Sequence, residues 1–460
     1  MPILSSEFIL NLDGSGPRYI SYPSADRFVV AFTEVQLRQA LAQRKSGARA
    51  VAFALSVAVY IPFCESLCHY CACNQVVARR HEHCATYLRY LGREIDLYTA
   101  QIGVGQALGE LHLGGGTPTF LSDDELRELM RMLRNSFNFL PDGEYGIEVD
   151  PRTVNPARLA TLAELGFNRL SFGIQDFDPA VQNAVHRVQS LDNVLALLAA
   201  ARALPFKSIN IDLIYGLPLQ TLESFERTIA QVVALRPERI SLYGYAHFPE
   251  HFKPQRSINV ADLPTDSAKL LMLKRSLATL EAAGYVHVGM GHLALPSDAL
   301  AVAWRQGRLH RNFQGYSPQP DCDLIGLGVS AIGKVGATYS QNATTLESYY
   351  DQLDQGRLPV ERGLLLSRDD LLRRSVIMAL MCQGRVDFES IELAHLIDFA
   401  DYFVAELQTL QDLQEQGLLE VSSSGIQVSA RGQICVCGVA MVFDRYVQAD
   451  RTLARVSRII

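Results

Sequence analysis

Little in this sequence points to a membrane, a nucleic acid or an oxidising compartment. The 460 residues carry a formal net charge of -7, so no basic excess favours a polyanion or an anionic bilayer surface. The longest uncharged apolar run, residues 50–63, is too short to span a bilayer and contains Pro62. Met1-Pro2-Ile3-Leu4 lacks the basic region and long apolar core of a signal peptide. Nine cysteines is an odd number, which argues against a secreted disulfide framework. A glycine loop is present, but without the Gly-Lys-Ser/Thr of a phosphate-binding loop or the G-x-G-x-x-G of a dinucleotide turn. A cytoplasmic protein with no nucleic-acid and no membrane partner is expected.

What is present is an ordinary globular composition, 48% apolar and 20% charged, with length for two or three domains. Its most informative stretch is Cys64-Glu65-Ser66-Leu67-Cys68-His69-Tyr70-Cys71-Ala72-Cys73, four thiols within ten residues. Cys64, Cys68 and Cys71 keep the spacing C-x3-C-x2-C, short enough to fold over one face of a compact cluster. A four-iron four-sulfur cube has four corners, so three cysteinates leave one iron open to a ligand. Two other uses of these thiols stay open. Structural zinc sites draw on a second, distant ligand pair, which is not evident here. A thioredoxin-like Cys68-His69-Tyr70-Cys71 motif would leave Cys64 and Cys73 without a role.

Along the chain, residues 1–48 read as an extension over the active site, rich in turn formers such as Gly14-Ser15-Gly16-Pro17 and without a regular element. Six strands are then expected, at 51–61, 111–113, 145–149, 169–173, 208–214 and 239–243, each followed by helical sequence. Ser122 with Glu125 forms a capping box, with Leu121 and Leu126 as a staple, and Asn155-Pro156 opens the next helix. Strands alternating with helices favour parallel pairing through right-handed crossovers. The fold class is therefore α/β, a partial (β/α)6 barrel over residues 49–347. Residues 348–460 form a mainly helical domain in which a hairpin at 418–428 suggests a winged-helix shape.

In β/α barrels chemistry sits at the carboxyl ends of the strands, and the remaining candidates lie there. Gly114-Gly115-Gly116-Thr117-Pro118 leaves backbone donors and acceptors bare to a small zwitterion. Glu148, Gln175 and Asp212 suit ribose hydroxyls, and Arg187 suits an amino-acid carboxylate. A structural ion-pair network is the alternative for each of them.

Together the cysteine loop, Gly114–Pro118, Ile147-Glu148-Val149-Asp150-Pro151, Gly173-Ile174-Gln175-Asp176-Phe177 and Asn210–Pro218 resemble the radical S-adenosylmethionine enzymes of the oxygen-independent coproporphyrinogen III oxidase family. The likeness extends to Ser15–Tyr19, Leu309–Tyr316, Gly328–Ile332 and Ser457–Ile460. It implies a [4Fe-4S] cluster on Cys64, Cys68 and Cys71, with two S-adenosylmethionine molecules. Their contacts map to Tyr70, Gly115, Gly116, Thr117, Glu148, Gln175, Arg187, Asp212, Ala246 and Ile332. Cys73 is not an iron ligand in the family. The implied reaction converts two propionates of coproporphyrinogen III to vinyls through a 5′-deoxyadenosyl radical. It requires a low-potential electron donor, and a monomer is expected. A radical paralogue acting on another tetrapyrrole or methylating another substrate, or a cluster- or haem-binding protein without turnover, are the alternatives.

The chain departs from the family pattern at two places. Ala58 and Tyr60 stand where the family carries tyrosine and histidine. Gly291, Leu293 and Leu295 replace an aspartate, an aromatic residue and an arginine.

Overall fold

The computed structural model describes residues 19, 21–46, 54–78 and 81–449. Six parallel strands lie side by side in chain order: β1 (Leu55–Ile61), β2 (Gln106–Gly115), β3 (Phe137–Val149), β4 (Arg169–Gln175), β5 (Ser208–Tyr215) and β6 (Arg239–Gly244). The helices α1 (Glu82–Ile102), α2 (Asp123–Ser136), α3 (Pro156–Glu164), α4 (Leu191–Arg202) and α5 (Leu222–Leu235) alternate with them. Each expected strand is present, and β2 and β3 run several residues longer than expected. The capping box of Ser122 and Glu125 forms, and Leu121 and Leu126 are both buried beside it.

Side-chain alternation explains where the core and the site lie. Along β4, Leu170, Phe172 and Ile174 are buried while Arg169, Ser171, Gly173 and Gln175 are half-buried. The apolar set packs with Leu111, Ile147, Ile211 and Ile240 against helix residues such as Leu91, Leu129, Leu159, Leu197 and Ile229. The opposite face carries polar groups into the concave interior.

The parallel unit is extended at both edges. Val286–Gly289 and His292–Ala294 add antiparallel strands beyond β6. Leu324–Leu327 pairs parallel with β1 and continues into Ile332–Val335, Thr338–Asn342 and Val360–Leu365, giving twelve strands. Among the described residues the sheet stays open, because β1 and β6 each pair outward with these additions rather than with one another.

The 1–48 extension was expected to hold no regular element. Residues 1–18 lie outside the described residues, but Glu34–Ser46 is a 13-residue helix. It buries Leu37 and Leu41 and places Glu34 in its first turn and Arg44 and Lys45 in its last, which suits the helix dipole.

Beyond Leu365 the chain is mainly helical. Ser367 caps Arg368–Gln383, and Arg385–Asp387, Gly425–Val428 and Leu419–Val421 form a three-stranded antiparallel sheet. Val376, Phe388, Phe399, Phe403 and Leu410 make a separate core, which Tyr19 and Tyr22 join from the extension. Tyr19 also donates its hydroxyl proton to Asp444 at 2.8 Å. The closing Ser457–Ile460 motif lies outside the described residues. No described helix is long and apolar enough to cross a membrane.

Candidate active site

The cysteine loop is closed at its base and clamped at its tip. Phe63–Cys64 pairs in parallel with Val76–Val77, bringing both ends of the loop together. The backbone N–H of His69 donates to the Val185 carbonyl at 3.0 Å, and the His69 and His186 rings stack at 5.4 Å. Cys64 and Cys68 are buried, Cys71 is half-buried and Cys73 is exposed, and no disulfide joins any of the nine cysteines.

These four thiols line a cavity of about 170 Å³ together with Tyr70, Gly115, Gly116, Thr117, Glu148, Gln175, Arg187 and Asp212. Eight of the ten expected cofactor contacts thus converge with the three expected cluster ligands. Ala246 and Ile332 lie outside this lining. The Ala246 carbonyl accepts from Gln255 Nε2 at 3.2 Å, and the same amide reaches the Tyr70 carbonyl at 3.2 Å. Ile332 sits across from Gln341 and packs by the Phe28 and Tyr339 cluster.

Polar groups surround the sulfurs. Thr117 Oγ1 donates to Cys64 Sγ at 3.3 Å. Arg187 Nη1 and Arg152 Nη2 donate to Cys68 Sγ at 3.5 and 3.6 Å. Both arginines also bind Asp150 Oδ2, at 3.1 and 2.7 Å, and Asp150 is held below the usual carboxylate range despite its burial. Hydrogen bonding from Cys73 lowers the Cys71 thiol to about 7, whereas burial pushes Cys64 up to about 11. Asp150 and Arg152 were not singled out from sequence; an Asp-x-Arg at the end of β3 was the available signal.

The remaining walls fit a small polar cofactor. A register shift between Gly173 and Gln175 ends β4, and such an irregularity re-aims a side chain. Gln175 takes the left-handed region at φ 69°, which is unusual for a residue with a side chain. Its Oε1 is buried with no hydrogen-bond partner, so a ligand hydroxyl or amino group would satisfy it. A Cβ at Gly116 would lie 2.7 Å from the Pro62 carbonyl oxygen, and one at Gly115 would lie 2.9 Å from the Tyr60 ring. Glycine therefore lets the loop pack tightly against Pro62 and Tyr60 behind it, while Gly115 and Gly116 themselves line the cavity. Glu148 binds His112 Nε2 at 3.0 Å and accepts from the Gly115 N–H at 3.3 Å. Asp212 accepts from Ser171 Oγ at 2.6 Å and Asn210 Nδ2 at 2.9 Å, and burial pushes its carboxyl up to about 6.

A second cavity of about 340 Å³ continues into the barrel, sharing Cys73, Glu148, Ser171, Gln175 and Asp212 with the first. Arg169, Arg239, Glu110 and Glu144 make its floor ionic. Ala58 and Tyr60, two residues apart on β1, share a face. Tyr60 turns its ring toward Gly115 and donates its hydroxyl proton to the Asn74 carbonyl at 2.9 Å.

Comparison with known proteins bears directly on this arrangement. Residues 59–232 match the Radical SAM superfamily model, and residues 366–434 match the HemN C-terminal domain model. The oxygen-independent coproporphyrinogen III oxidase of Pseudomonas aeruginosa is 46% identical, over 99% of this chain and 98% of its own. That of Escherichia coli is 45% identical, over 97% and 96%. This chain belongs to the oxygen-independent coproporphyrinogen III oxidase family. The solved structure of the Escherichia coli coproporphyrinogen III oxidase HemN, a radical SAM enzyme, superposes with a TM-score of 0.89 at 46% identity, covering 93% of this chain and 97% of that one. Family membership accounts for the thiol loop at the sheet's carboxyl edge better than zinc or thiol exchange does, because radical SAM enzymes carry a [4Fe-4S] cluster and S-adenosylmethionine.

Proposed function

We propose that this protein converts two propionate side chains of coproporphyrinogen III to vinyl groups, giving protoporphyrinogen IX without oxygen. The supporting observation is the convergence of Cys64, Cys68 and Cys71 with Gly115–Thr117, Glu148, Gln175, Arg187 and Asp212 on one cavity that opens into a larger one. When bound, the cluster supplies the electron that cleaves S-adenosylmethionine to methionine and a carbon radical able to take hydrogen from an unactivated propionate carbon.

The chain's own groups do the binding and the shielding. Cys64, Cys68 and Cys71 would hold three irons and leave the fourth for the amino acid end of the cofactor. The Gly115-Gly116 backbone and the Gln175 Oε1 would receive its polar groups, and Arg187 and Arg152 balance negative charge on Cys68. Glu148 and Asp212 suit ribose hydroxyls. The family likeness carries the reading of two S-adenosylmethionine molecules and assigns Ala246 and Ile332 to them, and the larger cavity of about 340 Å³ beside the cysteine cavity supports room for substrate. Tyr19 and Tyr22, packed on the C-terminal core, support a roof that keeps water from the radical. The electron comes from a low-potential donor, and the protein works as a cytoplasmic monomer divided into residues 1–48, 49–347 and 348–460.

Anaerobic reconstitution followed by dithionite tests this. Methionine, 5′-deoxyadenosine and the divinyl product are expected by mass spectrometry. Cofactor cleavage without the vinyl product would overturn the substrate assignment, and a chain that binds the cluster without cleaving the cofactor would overturn the enzyme reading.

A further inference from the structure

Arg311 stands on the hairpin formed by His310–Asn312 and Gly315–Ser317. It is 7% exposed. Its Nε donates to the Tyr19 carbonyl at 3.2 Å, and its guanidinium lies 4.5 Å from the centre of the Tyr316 ring. Its Nη1 is buried and has no hydrogen-bond partner. Among the described residues no carboxylate pairs with it, whereas Arg187 has Asp150 and Arg239 has both Glu144 and Asp298. A buried cation left this way is costly unless an anion arrives from outside the chain.

Space for such an anion lies beside it. A cavity of about 100 Å³ is lined by Arg311, Tyr243, His287, His292 and Gln433, with no acidic side chain in its wall. Burial pushes His287 and His292 down to about 4 and 3, so both are neutral near pH 7. Arg311 is therefore the one charged group facing this cavity among the described residues. Tyr243 and His292 also line the central cavity, so the small chamber is a side pocket of the large one. The central cavity differs in kind, since its arginines, Arg169 and Arg239, are already paired with Glu144. The side pocket is too small for a macrocycle and has room for one of its arms.

Given the tetrapyrrole substrate proposed above, on which this depends, we propose that Arg311 anchors one carboxylate arm of the substrate in this side pocket. The contact is a charge-assisted hydrogen bond from a guanidinium that is already desolvated. The hairpin through Arg311 and the C-terminal part through Gln433 meet at this pocket, and the extension reaches Arg311 through the Tyr19 carbonyl. Arg311 is accordingly a substrate-binding residue rather than one that touches the cluster.

The test uses the full chain, reconstituted anaerobically, with Arg311→Gln, Arg311→Lys and Gln433→Glu. Arg311→Gln should raise KM for coproporphyrinogen III tenfold or more while kcat changes less than threefold. Arg311→Lys should recover most of that loss. Gln433→Glu should also raise KM, because its own carboxylate would occupy Arg311. Fluorescence titration with oxidised coproporphyrin III, without S-adenosylmethionine or reductant, should show the same order of affinities. An unchanged KM in Arg311→Gln, or equal falls in kcat for Arg311→Gln and Arg311→Lys with KM unmoved, would overturn the assignment. If Arg311→Gln fails to fold by circular dichroism, Gln433→Glu decides, and an unchanged KM there counts against the pocket. A wild-type chain that does not turn over coproporphyrinogen III refutes the proposed function instead, whereas wild-type turnover with unmoved variants refutes this inference alone.

Discussion

Removing the carboxylate of Glu94 should release the loop that braces the cysteine segment. Glu94 lies fully buried on α1 and accepts from the Gly328 N–H at 2.7 Å, Asn342 Nδ2 at 2.6 Å and the Tyr349 hydroxyl at 2.6 Å. Two turns earlier on the same helix face, Tyr87 donates to the Tyr60 carbonyl at 2.6 Å and accepts from the Val329 N–H at 3.0 Å. The loop so held reaches the thiols through Asn74, whose Nδ2 donates to the Thr344 carbonyl at 2.7 Å. Glu94→Ala strips an acceptor from three buried donors, each worth about 1–3 kcal/mol when left unsatisfied. Asn342 keeps its bond to the Gly328 carbonyl at 2.8 Å and loses least. A local cost of roughly 4 kcal/mol follows, which is on the order of a thousandfold in opening. Hydrogen-exchange mass spectrometry over residues 324–345 reads this directly, and protection within threefold of wild type would refute the reasoning. The same group has a pH signature. Burial pushes Glu94 up to about 7 from an ordinary 4.5, so the folded state binds its proton more tightly than the unfolded chain. Its contribution is greatest below about 4.5, falls as pH rises from there to about 7, and is constant above. The fall is roughly 3 kcal/mol, and Glu94→Gln should abolish it, leaving other groups to set the slope in that window.

Three further outcomes are expected. Cys64→Ser, Cys68→Ser and Cys71→Ser should each lose the iron-dependent absorbance after reconstitution, while Cys73→Ser should keep it, as measured by iron content per chain. Gly116→Ala places a methyl 2.7 Å from the Pro62 carbonyl oxygen, a clash with backbone that only a shift of the glycine loop relieves, so S-adenosylmethionine affinity by equilibrium dialysis should fall tenfold or more; wild-type affinity would show that the loop's position does not shape the cofactor site. Asp150→Ala leaves Arg187 buried without a carboxylate and should cost about 3–5 kcal/mol in chemical denaturation. Adding Arg187→Gln should cost less than the sum of the two single changes, and simple additivity would refute the pairing.

Much of this protein was legible locally. The six parallel strands announced themselves as short segments rich in apolar residues that end in Gly, Pro or acidic residues, and the capping box at Ser122 marked a helix start by side chains three residues apart. The thiol loop was readable because its ligands are neighbours in sequence. The helix at Glu34–Ser46 was hidden because only Leu37 and Leu41 stand out on its inner face amid polar residues. Short strands such as Leu324–Leu327 and Ile332–Val335 carry too few residues to show a period. Leu324–Leu327 becomes a strand by pairing with β1, where Val57 faces Ile325 across a long stretch of chain.

The chain alone therefore determined the order of elements and the chemistry available at the strand ends, because propensity, capping and ligand spacing act between near neighbours. Only the tertiary structure decided that Asp150 joins Arg187 and Arg152 beside Cys68, that Gln175 turns an unpaired oxygen into the cavity, and that Arg311 faces space without a carboxylate. Those are properties of enclosed volume and of distance between residues far apart in sequence, and an unmet partner exists only once the surrounding walls are in place.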